Sequence, residues 1–128
     1  MKPKYSKTYY DNGKIRSEEY NIKNTTLCHR EDGPAYIEYY KNGQIQKEFY
    51  YINDWRHREN GPAEIWHREN GQIQKEVYRK NNRPHREDGP AIIYYRKNGK
   101  ILREEYYING EEITDEFQIL VINGLGIK

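Results

Sequence analysis

Apolar bulk is what this chain lacks. Its 128 residues include four leucines, two valines, two phenylalanines and three alanines, and Leu, Ile, Val and Phe together number 23. That share, about 18%, is thin for an ordinary packed globular core. No apolar stretch approaches the roughly 18 residues of a membrane-spanning helix, which excludes such a span. The opening MKPKYSKTYY has no apolar leader segment. A single cysteine, Cys28, excludes an internal disulfide framework and fits a reducing compartment, so a cytoplasmic location is expected. Ser6 and Ser17 are the only serines, and neither sits in an elbow-type turn with a nearby His. Charge of one sign is also missing: 22 basic residues against 20 acidic leave +2. That balance argues against a self-repelling disordered chain. Aromatic area is abundant instead, in 14 tyrosines and two tryptophans.

The chain repeats. HREDGPA begins at His29, returns as HRENGPA at His57 and again as HREDGPA at His85, with both spacings 28. Asn-Gly recurs at Asn12, Asn42, Asn70 and Asn98, spaced 30, 28 and 28, so two extra residues lie in NIKNTTLC. All three alanines, Ala35, Ala63 and Ala91, sit in the Gly-Pro-Ala triplets. One repeat domain over residues 1–128 is expected, with units at about 8–28, 29–56, 57–84 and 85–112 and a cap at 113–128.

Each unit reads as two short strands joined at Asn-Gly, a strong hairpin signal because both residues tolerate positive φ. The first strands are AYIEYY, AEIWH and AIIYY; the second are QIQKEFYY, QIQKEVYR and KILREEYY. Tyr and Ile suit a pleated surface. The fold class is therefore all-β: an elongated antiparallel meander of β-hairpin repeats, advancing about 10 Å per unit at ~4.8 Å per strand. A third short strand over WRHR or RPHR would lengthen that advance. A three-residue turn closed by a glycine bulge pairs Tyr39 with Ile45. This register gathers Ala35, Ile37, Tyr39, Ile45 and Phe49 on one face, then Ala63, Ile65, Ile73 and Val77, then Ala91, Ile93, Tyr95 and Ile101. Lys47, Lys75 and Arg103 join them. The other, wetter face carries a tyrosine–glutamate column of Glu18 with Tyr20, Glu48 with Tyr50, Glu76 with Tyr78 and Glu104 with Tyr106.

The pattern breaks at ITDEFQILVING. Thr114 can cap a helix over 115–122, with Phe117, Leu120 and Val121 at helical spacing and Asn123-Gly124 as terminator. A final edge strand is the alternative, since QILVI is also β-prone. KPKYSKTYY reads as an edge strand blunted by Lys2, Lys4, Lys7 and Pro3.

The titratable groups read as scaffold. His29, His57 and His85 recur once per unit, about 10 Å apart, too far to share one metal ion. Arg30, Arg58 and Arg86 with Glu31, Glu59 and Glu87 read as turn hydrogen bonds and exposed ion pairs. Neighbouring carboxylates such as Glu18-Glu19 and Glu104-Glu105 point to opposite faces of a strand. Cys28 is an incidental thiol of the insertion. No phosphate loop or zinc spacing is present, so no catalytic, cofactor-binding or metal site is expected, and the chain is not expected to be an enzyme. Tyrosines with a basic column allow single-stranded nucleic-acid binding. Comparable acid in every unit and a pI of 8.5 weaken that reading.

The phrase YYxNGxIxxExYYxNG resembles the MORN-repeat-variant family of β-hairpin repeats, over about residues 8–113, and the HRxDGPA insertion resembles a subset of it. The resemblance implies an elongated sheet with a binding role; some members are antitoxin-like, and such proteins occur in low-GC bacteria, their phages and large DNA viruses. A one-layer sheet cannot bury 14 tyrosines and two tryptophans, and Tyr, Trp and Arg concentrate interface energy. Residues that vary between units are the best partner-binding candidates: Trp55, Trp66, Tyr36, Tyr94 and Arg68, followed by the column tyrosines Tyr50, Tyr78 and Tyr106. The expected partner is another protein, an enzyme such as a nuclease, toxin or CRISPR effector that the chain blocks sterically. A structural or self-associating role is the alternative, and no membrane partner is expected.

Overall fold

A computed structural model describes residues 4–124. Its strands are β1 (Lys4–Tyr9), β2 (Ile15–Asn21), β3 (Tyr36–Tyr39), β4 (Ile45–Phe49), β5 (Tyr51–Ile52), β6 (Trp55–Arg56), β7 (Glu64–His67), β8 (Ile73–Val77), β9 (Arg79–Lys80), β10 (Arg83–Pro84), β11 (Ile92–Tyr95), β12 (Ile101–Ile108) and β13 (Glu111–Ile113), followed by helix α1 (Glu116–Ile122). Nine of them form one antiparallel sheet in the order β1-β2-β3-β4-β7-β8-β11-β12-β13.

The Asn-Gly turns build the hairpins as their chemistry demands. Gly43 N–H donates to the Tyr40 carbonyl at 3.0 Å, and Tyr40 N–H to the Gln44 carbonyl at 2.8 Å. Gly43 sits at φ 89, where a side chain would be strained. The Asn42 side-chain oxygen accepts from Gln44 N–H at 2.9 Å, and Asn12, Asn70 and Asn98 make the same bond. Tyr39 then pairs with Ile45, as the glycine-bulged register requires.

One step further, the register shifts again. Glu38 pairs with Lys47, so Gln46 is an extra residue on β4. Gln74 and Leu102 are extra in the same way, because Trp66 pairs with Lys75 and Tyr94 with Arg103. Each bulge reverses the alternation beyond it. The expected faces are corrected accordingly. Ile37, Tyr39 and Ile45 share one face, but Phe49 lies on the other, opposite Tyr36. Val77 moves with it, opposite Glu64, and so do Lys47, Lys75 and Arg103. Glu48 and Glu76 lie on the face of Ile37 and Ile65, where a wet opposite face was expected. The face of Ile37 is called the back below, and the face of Trp66 the front.

The back is tied together by contacts that recur from unit to unit. Tyr20, Tyr50 and Tyr78 donate their N–H groups to the carbonyls of Ala35, Ala63 and Ala91. All three alanines are fully buried on the strands paired with these tyrosines. The guanidinium carbons of Arg30, Arg58 and Arg86 lie 4.1, 4.0 and 4.0 Å from the ring centroids of Tyr20, Tyr50 and Tyr78. Each guanidinium also bonds the carbonyl of Pro34, Pro62 or Pro90. A Cβ on Gly33, Gly61 or Gly89 would fall 3.0, 3.0 or 2.8 Å from that arginine's Cζ, which is why the HRxxGP turn carries glycine there. Nδ1 of His29, His57 and His85 accepts the backbone N–H of Asn53, Asn81 and Asn109.

The third strand expected over WRHR and RPHR exists in those two units, but outside the main sheet. β5 pairs with β6 and β9 with β10 as separate two-stranded ladders, so the main sheet still gains two strands per unit. Their turns, Asn53-Asp54 at φ 50 and 68 and Asn81-Asn82 at φ 51 and 72, have both central residues left-handed.

The C-terminal segment is a helix, with its cap one residue later than expected. Asp115, not Thr114, is the N-cap, and its carboxylate accepts from Gln118 N–H at 2.9 Å. An aspartate offers the same acceptor as a threonine together with a negative charge at the positive end of the helix. Gly124 at φ 74 ends it. Of the expected edge-strand features, Lys4 and Lys7 lie on β1, while Lys2 and Pro3 fall outside the described residues, as do 125–128 of the expected cap.

Candidate functional site

The bulges place one set of side chains on the front. A row crosses consecutive strands of the sheet: Glu38 on β3, Lys47 on β4, Trp66 on β7, Lys75 on β8, Tyr94 on β11 and Arg103 on β12. The adjacent row holds Tyr36, Phe49, Glu64, Val77, Ile92 and Glu105. Lys47 Nζ is 4.6 Å from the Trp66 ring centroid, and Lys75 Nζ is 6.0 Å from it on the other side and 5.1 Å from that of Tyr94. Arg103 lies 5.8 Å from Tyr94. The Phe49 ring bridges Tyr36 and Trp66 at centroid distances of 6.1 and 5.4 Å.

Carboxylates on this face are already engaged. Glu64 is only 3% exposed, and its Oε2 receives bonds from Arg56 at 3.3 Å and from Arg79. A buried carboxylate persists only when paired in this way. Glu38 meets Lys47 at 3.2 Å, and Glu105 meets Arg103. Burial, with the Glu38 charge beside it, pushes the Tyr36 phenol up to about 12.

The expected candidates divide among three places. Trp66, Tyr36 and Tyr94 come together on the front. Trp55 stands apart on β6, opposite Ile52 and 51% exposed. Tyr50 and Tyr78 lie on the back beneath Arg58 and Arg86, and the Tyr106 hydroxyl accepts from Asn123 after α1. Arg68 bonds the Tyr95 carbonyl at 2.8 Å through Nη2, the place that Tyr40 fills toward the His67 carbonyl at 2.6 Å. Sequence reasoning missed Phe49 and the arginine-held Glu64. The signal was present: the positions after each alanine read Tyr36, Glu64, Ile92 and Glu38, Trp66, Tyr94, while the back reads Ile37, Ile65, Ile93.

On the back, three of the column carboxylates are engaged within the chain. Tyr39 and Tyr5 donate to Glu18, Tyr95 donates to Glu76, and His67 Nε2 lies 2.8 Å from a Glu48 oxygen. Burial and the nearby Glu19 and Asp54 push the Cys28 thiol up to about 11, so it stays protonated and unreactive at neutral pH. Among the described residues, no three His, Cys, Asp or Glu side chains group to hold a metal ion. No described helix is long and apolar enough to cross a membrane.

Residues 5–24, 35–53 and 87–109 match the family model described as MORN repeat variant. No curated protein and no solved structure matches the chain. The matched stretches hold hairpin strands β1–β2, β3–β4 and β11–β12; β7–β8 has the same register and bulge without a match. MORN repeats are generally binding modules, and a chain that carries three MORN-repeat-variant hairpins in one continuous sheet is a repeat-based binding scaffold.

Proposed function

We propose that this scaffold binds another protein through the front of its sheet and blocks that partner sterically, as an inhibitor or antitoxin-like protein acting on a cytoplasmic enzyme. The observation that carries the reading is the contrast between the two faces. The back repeats its residues and engages Glu18, Glu48 and Glu76 with its own tyrosines and His67. The front varies from unit to unit and collects Trp66, Tyr36, Tyr94 and Phe49 with cations beside them. A scaffold needs repetition to build itself; a surface shaped for one partner does not. Aromatic anchors ringed by charge are what protein interfaces use.

Substitution with partner binding as the readout tests this. Trp66→Ala is expected to weaken the complex by about 2 kcal/mol or more, the size of an interface hot spot. Trp66→Phe should retain part of it. Tyr78→Phe, on the back beneath Arg86, should leave affinity unchanged. Equal loss from both faces would reject the front as the docking surface.

A further inference from the structure

We propose that the centre of the front takes an acidic segment of a protein partner, with Lys75 as the anchor for one of its carboxylates. This rests on the front being the docking surface and names the chemistry it selects.

Lys47, Trp66, Lys75, Tyr94 and Arg103 are direct cross-strand neighbours, alternating cation and ring across β4, β7, β8, β11 and β12. The outer cations are matched within the chain: Lys47 has Glu38 at 3.2 Å, and Arg103 has Glu105. The neighbouring carboxylate, Glu64, is taken by Arg56 and Arg79. Among the described residues Lys75 has no carboxylate within ion-pair distance, although it sits at the middle of the strip. Its ammonium lies between the rings of Trp66 and Tyr94, 6.0 and 5.1 Å from their centroids. Rings on two sides displace water from the ammonium, and a less hydrated cation binds an incoming carboxylate more strongly than an open-surface lysine does. A carboxylate over Lys75 would place its flanking apolar groups against the ring edges.

The same geometry disfavours a nucleic-acid strand. Trp66 has Lys47 on one side and Lys75 on the other, and Tyr94 has Lys75 and Arg103. The rings on which bases would stack already have cations of this chain beside them, the nearest 4.6 Å from the Trp66 centroid and 5.1 Å from that of Tyr94. A strand with a phosphate at every nucleotide would also run past Glu38 and Glu105 at either end of the strip, whereas one carboxylate needs Lys75 alone.

A random dodecapeptide display library selected on the immobilised full chain tests the proposal, with an oligothymidylate as competitor. The expected result is enrichment of peptides carrying Asp or Glu beside an apolar residue. Binding of the enriched peptide should fall about tenfold or more on Lys75→Met, the scale of a lost interfacial charge pair, and stay level on Lys97→Met at an exposed turn. Circular dichroism confirms that each variant keeps its sheet. Peptides that lose binding on Trp66→Ala but show no acidic bias, or bind Lys75→Met undiminished, overturn the anchor and leave the docking surface standing. Peptides indifferent to Trp66→Ala and Lys75→Met alike overturn both. Displacement by the oligothymidylate at lower concentration than by acidic peptide overturns the protein-partner assignment.

Discussion

Gly110 faces Pro84, and each lacks what the other would have to bond. Gly110 N–H donates to the Pro84 carbonyl at 2.8 Å. In the two preceding tiers the contact is reciprocal. Asp54 N–H donates to the Cys28 carbonyl at 2.7 Å while its side chain accepts from Cys28 N–H at 3.0 Å. Asn82 and Arg56 do the same at 2.9 and 2.7 Å. Proline has no N–H to give, and glycine has no side chain to receive one. Satisfaction of backbone donors therefore links residues 26 apart within this chain.

That link predicts a coupling. Pro84→Arg with Gly110→Asn recreates the reciprocal contact of the earlier tiers, and the double variant should be more stable than the two single effects sum to by about 1 kcal/mol, the net value of one hydrogen bond. Asn82→Ala should cost about the same through the orphaned Arg56 N–H, with added strain at φ 72. Urea unfolding of the set measures both.

Deleting Gln74 should remove the bulge and leave the faces of β8 as they are. Lys75 would then follow Ile73 directly, and plain alternation keeps Lys75 and Val77 on the front, opposite Trp66 and Glu64, with Glu76 on the back opposite Ile65. Val77, 1% exposed, should stay buried, and Glu76 should keep Tyr95. Hydrogen exchange should show the β7–β8 amides still protected in the deletion variant; their loss of protection would mean that the bulge itself is needed to close the hairpin.

Gly89→Ala and Arg86→Ala should be strongly non-additive. The new methyl would fall 2.8 Å from Arg86 Cζ and expel a guanidinium that bonds Asp88 and Pro90 and stacks on Tyr78. With Arg86 already gone, the glycine substitution has little left to disrupt. Melting temperatures of the four proteins decide it; additive losses would contradict the packing.

Alkali should unfold the sheet through its back. Burial and the Glu18 carboxylate raise the Tyr39 phenol, and burial and Glu76 raise that of Tyr95. A folded-state value above the unfolded one means that these groups contribute stability below the ordinary tyrosine range and lose it as pH climbs through and beyond about 10. Glu18 works in the opposite direction. Burial pushes its carboxyl up, but the Tyr39 and Tyr5 hydroxyls outweigh that and hold it low, so its contribution is present above the usual carboxylate range and fades as pH falls. Ultraviolet titration should show late-ionising tyrosines whose ionisation coincides with loss of circular dichroism.

Asn60→Asp should raise the melting temperature slightly. Arg30 and Arg86 bond Asp32 and Asp88 at 2.9 and 3.0 Å, and only the central HRENGPA loop has an amide in that place. No gain would mean that the exposed pair contributes nothing measurable.

The 28-residue period, the paired strands and the Asn-Gly turns were legible in the chain because they depend on neighbours within a few residues. Asn42 and Gly43 settle their turn through their own φ and their own side chain. Trp66 and Tyr94 stood out as variable positions, but Phe49 and Lys47 were assigned to the wrong side. The reason is Gln46: a glutamine in a strand looks the same whether it is paired or bulged, and only the strand opposite decides.

Sequence alone thus determined what repeats, how long each unit is and where the chain turns, since those follow from local backbone preference. Tertiary structure decided which face each side chain occupies. Face depends on cross-strand hydrogen-bond register, and one unpaired residue, at Gln46, Gln74 or Leu102, inverts everything after it.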